Sequence, residues 1–488
     1  MNEPKSYFFQ SFLIILLSAI FFLGLKKVLP EKIFSEKAGT TKNVLVDSML
    51  LDAFKAEEEG LQAEVGDTMA NQKVTFYETN GITFPPETYE NYKGYQYLIS
   101  FYEKLFQLET KGTENVRIAY FGDSMTDGDL IVQDLRTSLQ EKYGGKGVGF
   151  VAITSESSAS RNSVKHEYSD NWKMQSYLNI KNPIRPFGVN GHVFFANDTS
   201  RNEWVKYTAS KRRFISQLDN PTLFYGSAKN KNGIISFKNG EDTIYKKLLP
   251  NKLLNTLTLQ QGGIKSMKAN FIEADTIPIY GFNFDDGKGV HVDNFSQRGN
   301  SGIPISKFNV PLMKSFQEKL GYDLIVLHYG TNVLNYGTKN YSWYERGMTR
   351  AVNRLRECFP GVAILIISTA DKASKYGTEM KTDSAVVPLT LAQKRYALNT
   401  KSGFINLYTL MGGDGSIVKW SAEQPPLANK DYTHFSFKGA TKIATLLYGQ
   451  INQGYEQYKI LRRNRKSSSG VAPNPDTINH NSDQTNAE

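Results

Sequence analysis

Two short stretches hold residues that together could break an ester. Ser124 follows the apolar run "RIAYFGD", and His434 lies in "KDYTHFSFKGA" with Asp431 three residues before it. A serine hydroxyl is a weak nucleophile until a base takes its proton. An imidazole does this when a carboxylate on its second nitrogen fixes the tautomer and stabilises the imidazolium. An Asp-x-x-His turn can supply both groups from one local structure, although the pattern alone is common. The other histidines are weaker candidates. His480 lies in a polar tail, and His166, His192 and His291 lie in or beside a β-rich region. His328 is inside an apolar run, where a core histidine satisfied by hydrogen bonds is the plainer reading.

Acyl transfer also needs donors aimed at the developing oxyanion. "NFSQRGNSG" ends one strand, and Gly299 in it lets a backbone N–H approach a ligand closely. "HYGTN" ends another, where Asn332 can present its side-chain amide. The Ser124 N–H is the third donor. Each has a plainer reading too: a turn for the glycines, a cap for Asn332. Asp123, Asp127 and Asp129 cluster beside Ser124. Asp123 reads as a turn residue and Asp129 as a helix-start residue, where acids favour the helix dipole. Neither metal nor cofactor is expected.

These residues need elements to position them. "NVRIAYFGDS", "DLIVLHYGTN", "VAILIIST" and "GFINLY" are near-continuous apolar runs, as expected of strands buried on both faces. Helical patterns lie between them. Ile131, Leu135 and Leu139 recur every four residues before Gly144-Gly145, and "YERGMTRAVNRLREC" and "FKGATKIATLLYGQI" have similar periodicity. Alternating strand and helix predicts an α/β fold with a parallel sheet covered on both faces. Ligands then bind beyond the carboxyl ends of the strands, where the candidate residues stand. Between about 175 and 285 the helical period gives way to short runs such as "HVFFAN", "TLFYGS" and "SMKANFIEA", which predict an inserted β-sandwich or barrel. Trp204 and Tyr207 within it are either sugar-stacking aromatics or β-core.

The chain has 488 residues and 40% apolar content, enough for a large globular body. Net charge is +10 without a dense Lys/Arg block or a nucleic-acid motif, so a solvated basic surface is the plain reading and no nucleic-acid partner is expected. A lone cysteine, Cys358, excludes an intramolecular disulfide and a Cys-rich metal site. Tyr7 to Leu25 is an apolar run without charge and predicts one membrane crossing, an uncleaved anchor. Lys5 favours an inside N-terminus, whereas Lys26 and Lys27 argue the other way. The expected organisation is therefore an anchor at 1–30, a stalk and packed helical region at 31–114, α/β segments at 115–174 and 287–462 around the β insertion at 175–286, and a disordered tail at 463–488.

The order GDS, R-G-N-S-G, G-T-N, D-x-x-H resembles the SGNH (GDSL-type) hydrolase superfamily, whose four blocks supply Ser, Gly, Asn and His. Those positions are Ser124, Gly299, Asn332 and His434, with Asp431 as the triad carboxylate. Met125 replaces the common Leu after the serine. "FGDSMTDGDLIVQDLRTSLQEKYGGKGVGF" is similar to the first block of bacterial peptidoglycan O-acetylesterases, which also carry a carbohydrate-module-like β insertion at this place. The resemblance implies a three-layer α/β/α flavodoxin-like fold. It implies a serine esterase that removes O-acetyl groups from an envelope glycan, with Ser124, Gly299 and Asn332 as the oxyanion hole. The partners implied are an acetylated glycan polymer and, through the anchor, a bacterial membrane, with the catalytic domain in the periplasm or outside. An acetyltransferase, a silent glycan-binding scaffold and a lipid or thioester hydrolase are the alternatives.

Overall fold

The computed structural model describes residues 47–58, 72–112, 115–196, 203–239, 242–336 and 339–465, with a few helical positions between 12 and 21. Met1–Val44 is a unit by itself and Leu45–Glu488 another. Most of the apolar run 7–25 therefore lies outside the described residues, as does the tail beyond 465. Among the described residues, no helix is long and apolar enough to cross a membrane.

In the larger unit, five parallel strands form the central sheet: β1 (Asn115–Gly122), β2 (Gly289–Asn294), β3 (Tyr322–His328), β4 (Ala363–Ile367) and β5 (Gly403–Ile405). Their spatial order is β2-β1-β3-β4-β5, the flavodoxin-like order. Alternate side chains on each strand enter different cores, because successive Cβ atoms point to opposite faces. Val116, Ile118 and Tyr120 pack with α2 (Ile99–Lys111), α3 (Val132–Tyr143) and α7 (Phe437–Arg463). Ala119 and Phe121 pack with α1 (Ser48–Glu58), α4 (Val310–Leu320), α5 (Ser342–Cys358) and α6 (Val386–Asn399). The result is the expected three layers. The two glycines expected to stop α3 do so, with Gly144 at φ +77° and its N–H on the Gln140 carbonyl. Cys358 is fully buried in α5, and desolvation pushes its thiol up to about 12.

The β insertion is a sandwich. Its inner sheet runs Leu254–Thr258, Thr222–Gly226, Ile279–Phe284, His192–Phe195, Lys173–Ser176, with Gly149–Val151 also paired to Ile279–Phe284. Its outer sheet runs Asp242–Lys247, Ile234–Asn239, Ser266–Ile272, Glu203–Ala209, Val164–Tyr168. The boundary expected at 175 is therefore too late. Gly149–Val151 and Val164–Tyr168 fall in the segment assigned to the α/β part and Lys173–Ser176 straddles its end, yet all three pair with sandwich strands. Strand alternation sends Val205 and Tyr207 into the sandwich core, so Tyr207 cannot stack on a ligand. Trp204 faces outward with the Lys268 ammonium 4.3 Å from its ring centre.

The inner sheet is buried on its other face as well. Phe224 stacks on Phe316 of α4 at 5.8 Å and 8°, and Tyr280 and Phe150 meet the same ring edge-on. The buried Arg117 of β1 ties the two bodies further. Its guanidinium pairs with Asp285 at 2.7 Å and with Asp293 at 3.0 Å. Asp293 in turn accepts the Phe150 N–H.

The segment expected to be a stalk with some helix holds one helix among its described residues. α1 packs against α5, and its capping residue Asp47 is buried.

Candidate active site

Ser124 stands just past β1, in a turn its neighbours build. The Asp123 carboxylate accepts the Met125 N–H, and its carbonyl accepts the N–H groups of Thr126 and Asp127. Gly122 is required here, because a Cβ would lie 2.1 Å from Thr126 Oγ1. The turn is clamped to the end of β2, where Thr126 and Ser296 hydroxyls meet at 2.7 Å and Asn294 donates to the Thr126 carbonyl at 2.8 Å.

Asp129 does not start a helix as expected. It sits at φ +67°, and Arg136 grips it through two hydrogen bonds. Burial would raise its carboxyl, but the Arg136 and Arg161 charges prevail and hold it well below the usual carboxylate range. A buried bidentate ion pair of this kind can hold a backbone conformation that costs energy locally. Asp127 is taken by Arg298 at 2.9 Å and by the Ser157 hydroxyl. Among the described residues, no group of acids and histidines could hold a metal ion.

His434 comes from the other end of the domain, in the loop before α7. Ser436 caps that helix by accepting the Gly439 N–H, and the Asn429 N–H holds the His434 carbonyl at 2.8 Å. One Asp431 oxygen accepts the N–H groups of Thr433 and His434, each at 3.0 Å, which closes the turn. The other oxygen accepts from His434 Nδ1 at 2.8 Å. Nε2 then faces Ser124 Oγ at 3.1 Å. Burial pushes the Asp431 carboxyl up, but the His434 backbone and ring and the Thr433 N–H leave it below its ordinary value. Ser124 and His434, 310 residues apart, thus join Asp431 in one hydrogen-bonded row.

The two expected oxyanion elements meet at the same strand ends. Gly299 has φ +75°, and it precedes Asn300, whose carbonyl accepts from the Asn332 amide at 3.0 Å. That bond uses one N–H of the amide and leaves the other available to a ligand. We expect Asn332→Ala to lower the catalytic rate by about 100- to 1000-fold with little change in melting temperature, measured on any ester the protein turns over.

Among the described residues, His166, His291 and His328 are buried in the core, and His192 is half-buried at the cleft. Burial pushes His166 down to about 3, and His192 and His328 to about 4, and it lowers His291 as well. His328 is satisfied by the Tyr120 hydroxyl at 2.7 Å.

Asp123 is the more unusual acid. Burial drives its carboxyl up to about 6, against weaker opposing effects from the Met125 N–H, the His434 ring and Thr331. Its Oδ2 lies beside Thr331 without a well-formed hydrogen bond. A carboxyl raised in the folded state favours folding while protonated, and that contribution is lost as pH rises from about 4 to about 6. Asp123→Asn should therefore stabilise the protein at pH 8 by up to about 3 kcal/mol. The gain should shrink toward pH 4.5 in urea unfolding; an equal gain at both values would refute the assignment.

Asp47, Asn300 and Tyr177 also build this region and carry no sequence signal that would have singled them out. A cleft of mixed character, lined by Asp127, Glu156, His192 and Arg298 together with Met174 and Phe295, lies beside the turn that follows Ser124.

No model of a known protein family matches the sequence, and no curated protein matches it either. Solved structures do. A structure described as "Peptidoglycan O-acetylesterase in action, 5 min" superposes with a TM-score of 0.60 at 22% identity, over 73% of this chain and 96% of that one. The chain shares the fold of that structure. A family two carbohydrate esterase from Cellvibrio japonicus matches more distantly, with a TM-score of 0.24 at 12% identity over 60% of this chain and 98% of that one. An acetyl xylan esterase, AlAXEase, covers 33% of this chain and 81% of its own at 13% identity and a TM-score of 0.24. The five-stranded parallel sheet expected from the apolar runs belongs to the part that this fold likeness supports.

Proposed function

We propose that the protein is a serine esterase that removes O-acetyl groups from an envelope polysaccharide, peptidoglycan being the favoured polymer. The hydrogen-bonded row from Ser124 through His434 to Asp431 carries this reading. His434 Nε2 takes the Ser124 proton as Oγ attacks the acetyl carbonyl. The oxyanion is received by the Ser124 and Gly299 N–H groups and the Asn332 amide. The imidazolium, stabilised by Asp431, protonates the leaving sugar oxygen, and water then hydrolyses the acetyl-enzyme.

The exposure of the site favours a polymer substrate and water as acceptor. The His434 and Asp431 side chains are 41% and 49% exposed, so a chain too large to enter a pocket can reach them. The cleft beside Arg298 and Glu156 offers hydrogen-bonding groups to a sugar. The similarity in fold to a peptidoglycan O-acetylesterase supports the choice of polymer. We further propose that residues 7–25 anchor the chain in a bacterial membrane with the catalytic domain in the periplasm or outside, on the strength of that uncharged apolar run.

Acetate release from O-acetylated peptidoglycan, by the full chain beside its Ser124→Ala variant, tests the reading. Ser124-dependent release over many turnovers supports it. Release only when a sugar acceptor is added, with acetyl appearing on that acceptor, would make the protein an acetyltransferase. No reaction by the folded protein would leave a glycan-binding scaffold.

A further inference from the structure

The loop that carries Gly299 is held from an unexpected direction. Asn300 and Ser301 are fully buried, and Gly299 and Gly302 flank them at φ +75° and +90°. Tyr344 donates to the Ser301 carbonyl at 2.9 Å, and the Asn300 amide donates to the Tyr177 hydroxyl at 2.9 Å. The peptide group between Asn300 and Ser301 is gripped at both ends. Its carbonyl accepts from Asn332, and its N–H donates to Asp47 Oδ2 at 3.0 Å. The Ser301 hydroxyl donates to the same oxygen.

Asp47 lies 254 residues earlier in the chain and is 3% exposed. Its second oxygen accepts the N–H groups of Met49 and Leu50, at 3.1 and 3.0 Å, and so caps α1. Four donors converge on this carboxylate, and among the described residues no cation forms an ion pair with it. The nearby Lys307 ammonium is spent on the carbonyls of Tyr177 and Ile180. A carboxylate drawing on a peptide N–H polarises the peptide and makes its carbonyl a stronger acceptor. That carbonyl is the group that orients Asn332.

We infer that Asp47 is a positioning residue for the oxyanion hole, acting through the Asn300–Ser301 peptide on Asn332; this rests on the esterase reading above. It touches no substrate. It sets the angle at which the free Asn332 N–H meets the developing charge. Asparagine at this position can still cap α1 with its oxygen, but it then turns an NH2 toward the Ser301 N–H, and the grip on the peptide is lost.

The test is a double-mutant cycle on the full chain with 4-nitrophenyl acetate as probe substrate and Ser124→Ala as control. We expect Asp47→Asn to lower kcat about 10- to 100-fold at nearly constant KM. In the Asn332→Ala background the same change should cost almost nothing further, because its route to the oxyanion is already gone. A loss of packing alone would reduce both backgrounds equally. Asp47→Ser, which retains a capping oxygen but is too short to reach Ser301, should repeat the result if the Asn variant folds poorly. Losses that multiply, or full activity in both Asp47 variants while Ser124→Ala is dead, would overturn the inference. Hydrolysis that survives Ser124→Ala would remove the esterase reading and this proposal with it.

Discussion

Ser124→Ala is expected to abolish turnover, with kcat falling about 10⁶-fold and folding unchanged. The hydroxyl makes one hydrogen bond in the structure, to His434 at 3.1 Å, and no buried donor depends on it. Removing it costs the nucleophile and little else. The remaining rate should come from the oxyanion donors and from whatever binding the cleft provides, and it should no longer pass through an acetyl-enzyme. Burst kinetics separate the cases: the native protein should acetylate rapidly and stoichiometrically, whereas the variant should show no burst. A variant that keeps more than about a hundredth of native kcat would mean that Ser124 is not the nucleophile.

Asp431→Asn is the second large effect, about 10⁴-fold in kcat. The turn itself should survive, because the asparagine oxygen can still accept the N–H groups of Thr433 and His434 that close it. The amide NH2 would then face His434 Nδ1 in place of the oxygen now 2.8 Å away. Nδ1 must become the acceptor, which puts the proton on Nε2, the nitrogen that has to receive one from Ser124. The loss is therefore one of tautomer, with geometry and melting temperature kept. Asp431→Ala, which leaves Nδ1 free to choose, should be the milder variant if this account holds. Because the native carboxyl lies below its ordinary value, its support of His434 should persist to low pH and fade only as the pH falls through that lowered range.

Four of the five central strands were legible because they are buried on both faces and so read as uninterrupted apolar runs; Gly289–Asn294, with His291 and Asp293 in it, did not. "VAILIIST" contains Ala363–Ile367, and "GFINLY" begins with Gly403–Ile405. Ser124 and Asn332 were legible because each follows closely on such a run, and Asp431 and His434 because they precede a strongly periodic helix, whereas Gly299 lies five residues past its strand and was read from its R-G-N-S-G setting. The sandwich was legible as a class but not in its bounds. Gly149–Val151 is three residues long, and its partner strand lies about 130 residues downstream. Nothing local says which sheet it will join. Tyr207 was ambiguous for a related reason, since alternation gives two faces but not which one meets a second sheet. Asp47 was invisible. It is a single acid among apolar neighbours in "VLVDSMLL", and its significance comes wholly from a loop 254 residues away.

The doubly covered inner sheet makes the β insertion a poor candidate for exchange between proteins. A graftable domain ends in polar surface at its seam; this one ends in Phe150, Phe224 and Tyr280, matched ring against ring to Phe316. A chimaera that replaced the sandwich but kept α4 would leave that helix's aromatic face against foreign side chains. The two parts share one packed aromatic seam, so a change of ring size on one side of it calls for a matching change on the other.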